Sequence, residues 1–247
     1  MSGLKHITKH IPNGISMLNL LSGSMSVVFS INGNFYLAGI FILIAGALDF
    51  MDGLIARLLK AYTNIGKELD SLADIVSFGV APSIMLHIYL KKLLLQNYLT
   101  ADILYISLEE TLIIFSPFLL LVFAAIRLAR FNVISSTHEG FLGLPSPASA
   151  IFFASAILSF GTTWFNEISV FAWHWVILVI VFSSLMVMPF RMFSLKFKHW
   201  NWKGNENRYI IIGISAILLL TLQSLGISLA IIAYIFLSGL INVLDIN

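Results

Sequence analysis

The feature that most limits what this chain can fold into is a succession of apolar runs, each long enough to cross a lipid bilayer. About 20 predominantly apolar residues span the hydrocarbon core as a helix. Such runs lie near residues 15–32, 35–58, 68–90, 111–132, 147–164, 170–190, 209–223 and 225–243. Of the 247 residues, 59% are hydrophobic and 11% are charged, and the mean hydropathy is +0.95. Soluble domains carry about a quarter charged residues; this chain has too few polar side chains to cover its apolar surface in water. The expectation is an all-α integral membrane protein, a polytopic bundle of about eight transmembrane helices. Hinges are expected at "NGN" (32–34), at Pro145 and Pro147, and at Gly226. The last two helices are short and nearly fused, so merging them would leave seven.

Residues 1–247 read as a single membrane domain, because no polar linker, low-complexity stretch or internal repeat divides them. The absence of cysteine excludes disulfides, thiolate metal sites and cysteine nucleophiles. The segment 1–14 lacks the apolar core and cleavage site of a signal peptide. Its Leu4, Ile7 and Ile11 share a helical face opposite Lys5 and Lys9, which predicts a short interfacial helix. The positive-inside rule sets the orientation. With the N-terminus in the cytoplasm, eight alternating spans put every basic residue inside except Lys91 and Lys92. The expected location is the cell membrane, multi-pass, with both termini cytoplasmic.

Against this background the stretch "ALDFMDGLIARLLKAYTNIGKELDSLAD" (47–74) stands out. Asp49 and Asp52 are spaced i, i+3, and Asp70 and Asp74 i, i+4, so each pair projects from one helical face. The short connection between them makes the two helices antiparallel neighbours, and the acidic faces can meet at the cytoplasmic edge. Four like charges in a membrane need an offset, since one charge at the bilayer centre costs about 2.5–3.5 kcal/mol. All-oxygen ligands suit Mg²⁺, Mn²⁺ or Ca²⁺. Four carboxylates suffice for two ions, and two-metal sites handle phosphates. Arg57 offers a planar donor fork to a phosphate oxygen, while Gly53, Ala56 and Gly66 leave bare faces on which a bulky ligand can rest. Two other readings compete: aspartates that merely face water at the interface, or the acidic residues of a cation channel or transporter. A channel predicts acids strung across the bilayer depth, whereas these cluster at one end beside an arginine.

The eight positions Asp49, Asp52, Gly53, Ala56, Arg57, Gly66, Asp70 and Asp74 resemble the complete signature of the CDP-alcohol phosphatidyltransferases. "PNGISMLNLLSG" (12–23), "ELDSLADIVSFGVAPS" (68–83), "RLARFNV" (127–133) and "GLPSPASA" (143–150) are similar to the phosphatidylserine synthase branch of that family. The similarity runs to about residue 165; the last third is generically hydrophobic. The resemblance implies a six-helix catalytic core over 15–190, two additional transmembrane helices over 209–243, and a homodimer. It implies transfer of the phosphatidyl group from CDP-diacylglycerol to the hydroxyl of L-serine, giving phosphatidylserine and CMP. Asp49, Asp52, Asp70 and Asp74 would gather Mg²⁺ or Mn²⁺, two ions, with Asp74 also the general base. Gly53, Ala56, Gly66 and Arg57 would receive the CDP-lipid. A sister enzyme with another acceptor, glycerol 3-phosphate or inositol phosphate, is the alternative. Membrane lipid is an expected partner and nucleic acid is not.

A serine site should offer a cation and an acceptor. Arg127 and Arg130 can hold the serine carboxylate or a lipid phosphate, or serve as positive-inside anchors. Ser146 stands at the start of the fifth helix, where free N–H groups attract anions; a plain helix start is the competing reading. Asn19 is a lone amide in the first helix, which either faces the nucleotide or bonds a neighbouring helix. Ser77 is either close support for Asp74 or bonded back to its own helix. His87 and His138 read as interfacial rather than catalytic, and the basic and aromatic residues of 191–208 as an interfacial anchor.

Overall fold

The computed structural model describes residues 10–61, 63–95, 106–134, 141–160, 171–189, 191–192, 202 and 205–243. Helix α1 spans Ile11–Ile31 and α2 spans Phe35–Leu59. The turn between them lies at the expected "NGN" hinge, with Gly33 at φ 72 and Asn34 capping α2 by accepting from the Leu37 N–H at 3.1 Å. Helix α2 ends where Lys60 turns left-handed (φ 50). Thr63 then caps α3 (Asn64–Asp74), its hydroxyl accepting from the Gly66 N–H at 2.9 Å. A π-helical segment, Ile75–Val80, joins α3 to α4 (Ala81–Leu94). Next come α5 (Leu108–Phe115) and α6 (Phe118–Ile134), separated at Ser116–Pro117. Then come β1 (Phe141–Leu142), α7 (Ser146–Phe160), α8 (Ala172–Val187), β2 (Arg191–Met192) and α9 (Glu206–Val243). The two short strands pair antiparallel.

The side-chain distribution inverts that of a soluble protein. Helix α1 buries Ser16, Asn19, Ser22, Gly23, Ser26 and Ser30 and exposes Met17, Leu18, Leu21, Val28 and Ile31. In lipid an exposed leucine costs nothing, while small polar residues let backbones approach and find partners. Ser22 Oγ accordingly donates to the Phe41 carbonyl on α2 at 2.7 Å. The apolar core is built around α7, where Phe152 stacks on Phe182 at 4.2 Å and Phe153 meets the same ring edge-on. The chain is an all-α integral membrane protein.

Among the described residues, five helical stretches are long and apolar enough to cross a membrane: Ile11–Ile31, Phe35–Leu59, Ile65–Leu94, Leu108–Val133 and Glu206–Asn242. Helix α8 has 16 residues between extended residues at both ends, and at about 1.5 Å per residue it falls short of a hydrocarbon core of about 30 Å; α7 is described as far as Phe160. The break in α9 falls at Gln223 (φ 50, ψ −120), three residues before the expected hinge. A Cβ on Gly226 would meet the Leu218 carbonyl, whereas in a straight helix those residues stand about 12 Å apart. The chain therefore folds back at Gln223, and Gly226 permits the close approach. The returning half docks on α7 through paired hydroxyls, Ser155 with Ser228 at 2.6 Å and Ser159 with Ser224 at 3.0 Å.

The segment expected as an interfacial helix over 1–14 divides differently. Residues from Ile11 onward belong to α1, where Pro12 occupies a first-turn position that suits proline. Residues 1–9 lie outside the described residues, as does His138.

Candidate active site

Two helices carry the acidic residues and a third organises them. Asp49 and Asp52 come from the second half of α2, and Asp70 and Asp74 from α3. The turn at Lys60–Thr63 folds α3 against α2, and one carboxylate oxygen each from Asp49, Asp70 and Asp74 lies within 4.8 Å of the other two. Asp52 lies outside this trio. It is 5% exposed, and one of its oxygens accepts from Ser16 Oγ of α1 at 2.7 Å. Asn19, one turn along α1, directs Nδ2 to Asp74 Oδ1 at 3.5 Å. Its carbonyl accepts from Ser77 Oγ of the π segment at 2.9 Å. Helix α1 thus reaches both acidic pairs, although it holds no carboxylate.

The trio fits a hard divalent cation. Oxygens on opposite sides of Mg²⁺ stand about 4.2 Å apart, and those around Ca²⁺ somewhat farther, so the observed spacing needs only small adjustments. Asp70 Oδ1 is buried and makes no hydrogen bond. Such an oxygen is costly without a donor or an ion.

Arg127 of α6 brings positive charge to Asp49 and Asp74. Its Nη1 donates to Ser146 Oγ at 3.4 Å, and its buried Nε has no hydrogen-bond partner. Ser146 is fully buried at the start of α7. Arg130, one turn on, instead donates from Nη1 to the Val187 carbonyl at 3.1 Å, at the C-terminal end of α8. There a guanidinium complements the helix dipole. The structure therefore brings Arg127 and Ser146 together beside the carboxylates and leads Arg130 away from them.

The remaining sequence candidates fall on both sides of the site. A Cβ on Gly53 would meet nothing within 4 Å, so the α2 surface there is open. Ala56 lies one turn on, partly exposed. Arg57 is exposed and donates from Nε to the Gly53 carbonyl at 2.8 Å, which lays it along its own helix. At Gly66 the space a side chain would take is filled, since a Cβ would stand 2.6 Å from Asn13 Oδ1 and 2.7 Å from Thr63 Oγ1. That glycine lets α1 close on the start of α3. His87 packs between helices with Nδ1 2.7 Å from the Ile114 carbonyl, away from the aspartates in its bonding. Ser16 is the residue that sequence reasoning passed over. Its signal was available, as a hydroxyl spaced i, i+3 from Asn19 on the small polar stripe of the first helix.

Residues 9–179 match the family model of the CDP-alcohol phosphatidyltransferases. Among curated proteins, the chain is similar to the archaetidylserine synthase of Methanothermobacter thermautotrophicus, 36% identical over 169 residues, which are 67% of this chain and 64% of that protein. It is similar to the CDP-diacylglycerol–serine O-phosphatidyltransferase of Helicobacter pylori, 29% identical over 194 residues, 78% of this chain and 75% of that one. The protein of the same name from Methanocaldococcus jannaschii is 33% identical over 141 residues, 57% of each chain.

Proposed function

The chain belongs to the CDP-alcohol phosphatidyltransferase family, and we propose that it passes the phosphatidyl group of CDP-diacylglycerol to the hydroxyl of L-serine, releasing CMP. The observation that carries this reading is the convergence of Asp49, Asp70 and Asp74 on one point with the Arg127–Ser146 pair beside it. The names of the relatives, serine transferases in bacteria and archaea, support the acceptor.

In this reading Asp49, Asp52, Asp70 and Asp74 hold two divalent ions, Mg²⁺ or Mn²⁺. Bound there, the ions supply charge stabilisation to the pyrophosphate and to departing CMP. The protein's own residues do the rest. Asp74 takes the proton of the serine hydroxyl, which is a weak nucleophile until a base relieves it. The serine oxygen gains a bond to the lipid-side phosphorus, and that phosphorus loses its bond to the CMP oxygen. Arg127, with an uncommitted Nε, receives the serine carboxylate, and the N-terminus of α7 at Ser146 adds backbone donors. The open surface at Gly53 and Ala56 admits the CDP-lipid, with Arg57 free to swing to a phosphate. The site faces the cytoplasm by the charge rule, and the active form is a homodimer.

The test uses membranes containing the protein, CDP-diacylglycerol, Mg²⁺ or Mn²⁺, and labelled serine. Label in lipid with stoichiometric CMP is the expected result. Label entering lipid only from glycerol 3-phosphate or an inositol phosphate would remove serine as the acceptor.

A further inference from the structure

We infer that Asn19 is a positioning residue, one that holds a single oxygen of Asp74 and thereby leaves the other oxygen for the acceptor hydroxyl; this rests on the transfer reading above. Asn19 is fully buried on a helix whose other face is leucine and methionine. A buried amide without partners is costly, so its few contacts define its role. The side chain makes one and the main-chain carbonyl of the same residue takes another, and both go to the same stretch of chain. The side chain reaches Asp74 through Nδ2, and the main-chain carbonyl accepts from Ser77, three residues further along. The carboxylate is thus tied to α1 by a closed circuit that runs from the Asn19 amide across a long 3.5 Å contact to Asp74, along the helix to Ser77, and back to the Asn19 carbonyl.

Two features of the backbone make the circuit possible. Asp74 is the last residue of α3, and the π segment begins at Ile75. A π turn resets the facing of the residues after it and is common at functional sites; here it turns Ser77 toward α1. At Gly23 of α1 the missing side chain leaves room for Ser77 itself, because a Cβ there would stand 2.6 Å from the Ser77 Cα. The amide orientation follows for an ionised Asp74, the form that binds a metal or accepts a proton. Turned over, Asn19 would then point Oδ1 at a carboxylate oxygen, two acceptors with no proton between them. The orientation with Nδ2 toward Asp74 leaves Oδ1 without a partner, the smaller loss.

A positioning role separates binding from turnover. The test compares wild type with Asn19→Leu, which keeps the volume and removes the amide. CDP-lipid binding and Mn²⁺ binding are measured without serine, and kcat and KM with it. Binding within about threefold of wild type and a kcat lower by about 10- to 100-fold are expected, from loss of a hydrogen bond to a charged group. An unchanged kcat overturns the inference. So does an equal loss of CDP-lipid affinity, which would make Asn19 a nucleotide contact. Should Asn19→Leu fail to accumulate in membranes, Ser77→Ala keeps the amide and releases its carbonyl. A kcat reduced with both binding affinities retained then supports the circuit, and an unaltered kcat overturns it. Wild type that labels lipid only from another alcohol defeats the serine reading alone, and the same variants are then compared with that alcohol.

Discussion

Gly23→Ala tests how closely α1 must approach the π segment. The added Cβ would stand 2.6 Å from the Ser77 Cα, whereas carbon atoms pack at about 3.5–4.0 Å. The obstacle is backbone, so no rotamer change relieves it, and α1 must withdraw by about 1 Å. That shift would stretch the Ser77–Asn19 hydrogen bond from 2.9 Å and the Asn19–Asp74 contact from 3.5 Å beyond bonding range. Overpacking of this kind costs about 1–3 kcal/mol of stability. Misplacing a reacting group by about 1 Å costs on the order of 100-fold in rate. Gly213→Ala is the control, since nothing lies within 4 Å of its Cβ position and alanine is worth up to about 1 kcal/mol over glycine inside a helix. The assay is serine transfer in nanodiscs, with the thermal midpoint measured on the same samples. Gly23→Ala should lower both midpoint and kcat, and Gly213→Ala should raise or preserve both. A Gly23→Ala variant with wild-type turnover would refute the claim that this contact places Asp74.

The site itself sets three further outcomes. Asp74→Asn, which keeps one oxygen for a metal, should abolish transfer while leaving Mn²⁺ and CDP-lipid binding largely in place; full activity in that variant would remove Asp74 as the base. Chelation with EDTA should stop the reaction and Mg²⁺ or Mn²⁺ restore it, and Asp49→Asn should shift the restoring concentration upward. Restoration at the wild-type concentration would count against Asp49 as a ligand. Arg127→Gln should raise the serine KM by about 10- to 100-fold, as expected for removal of one charge-assisted hydrogen bond. Arg130→Gln should move it less than about threefold, because that guanidinium is engaged with the Val187 carbonyl. Equal effects of the two substitutions would contradict this division of roles.

The sequence carried the acidic centre because helical spacing alone puts Asp49 and Asp52, and Asp70 and Asp74, on common faces. The short turn between them leaves little freedom in how those faces meet. It could not separate Asp52 from the other three, because that depends on a hydroxyl arriving from α1. Nor could it separate Arg127 from Arg130. Both lie at one end of one helix, and the difference arises from what α7 and α8 present to each, Ser146 in one case and a carbonyl in the other. Hydropathy overestimates the length of α8, expected over 170–190, because apolar residues continue past Val187, where the helix ends. The Gln223 reversal was nearly legible from Gly226, but that glycine marks where the two halves of α9 touch, not where the chain turns.

The harder part to read was α1, and the reason is the solvent. In water a helix that places serine and asparagine on one face and leucine on the other turns the leucines inward, and its polar residues say nothing about a site. In lipid the same stripe turns inward, and a polar atom on it is costly unless it finds a partner inside the protein. The stripe Ser16, Asn19, Ser22, Ser26 is therefore a set of contacts waiting to be assigned. Ser22 bonds the backbone of α2, which is ordinary helix packing. Ser16, whose hydroxyl lies closer to Asp52 at 2.7 Å than to the Pro12 carbonyl at 3.2 Å, and Asn19 bond carboxylates on two different helices. A structural role alone would be met by a backbone carbonyl, as it is at Ser22, and Ser16 has one within reach at Pro12 yet lies closer to Asp52. Committing the two polar residues nearest the site to the aspartates fixes the relative placement of the two acidic pairs through a third helix. The acidic signature marks where the chemistry is, and α1 determines whether its two halves meet.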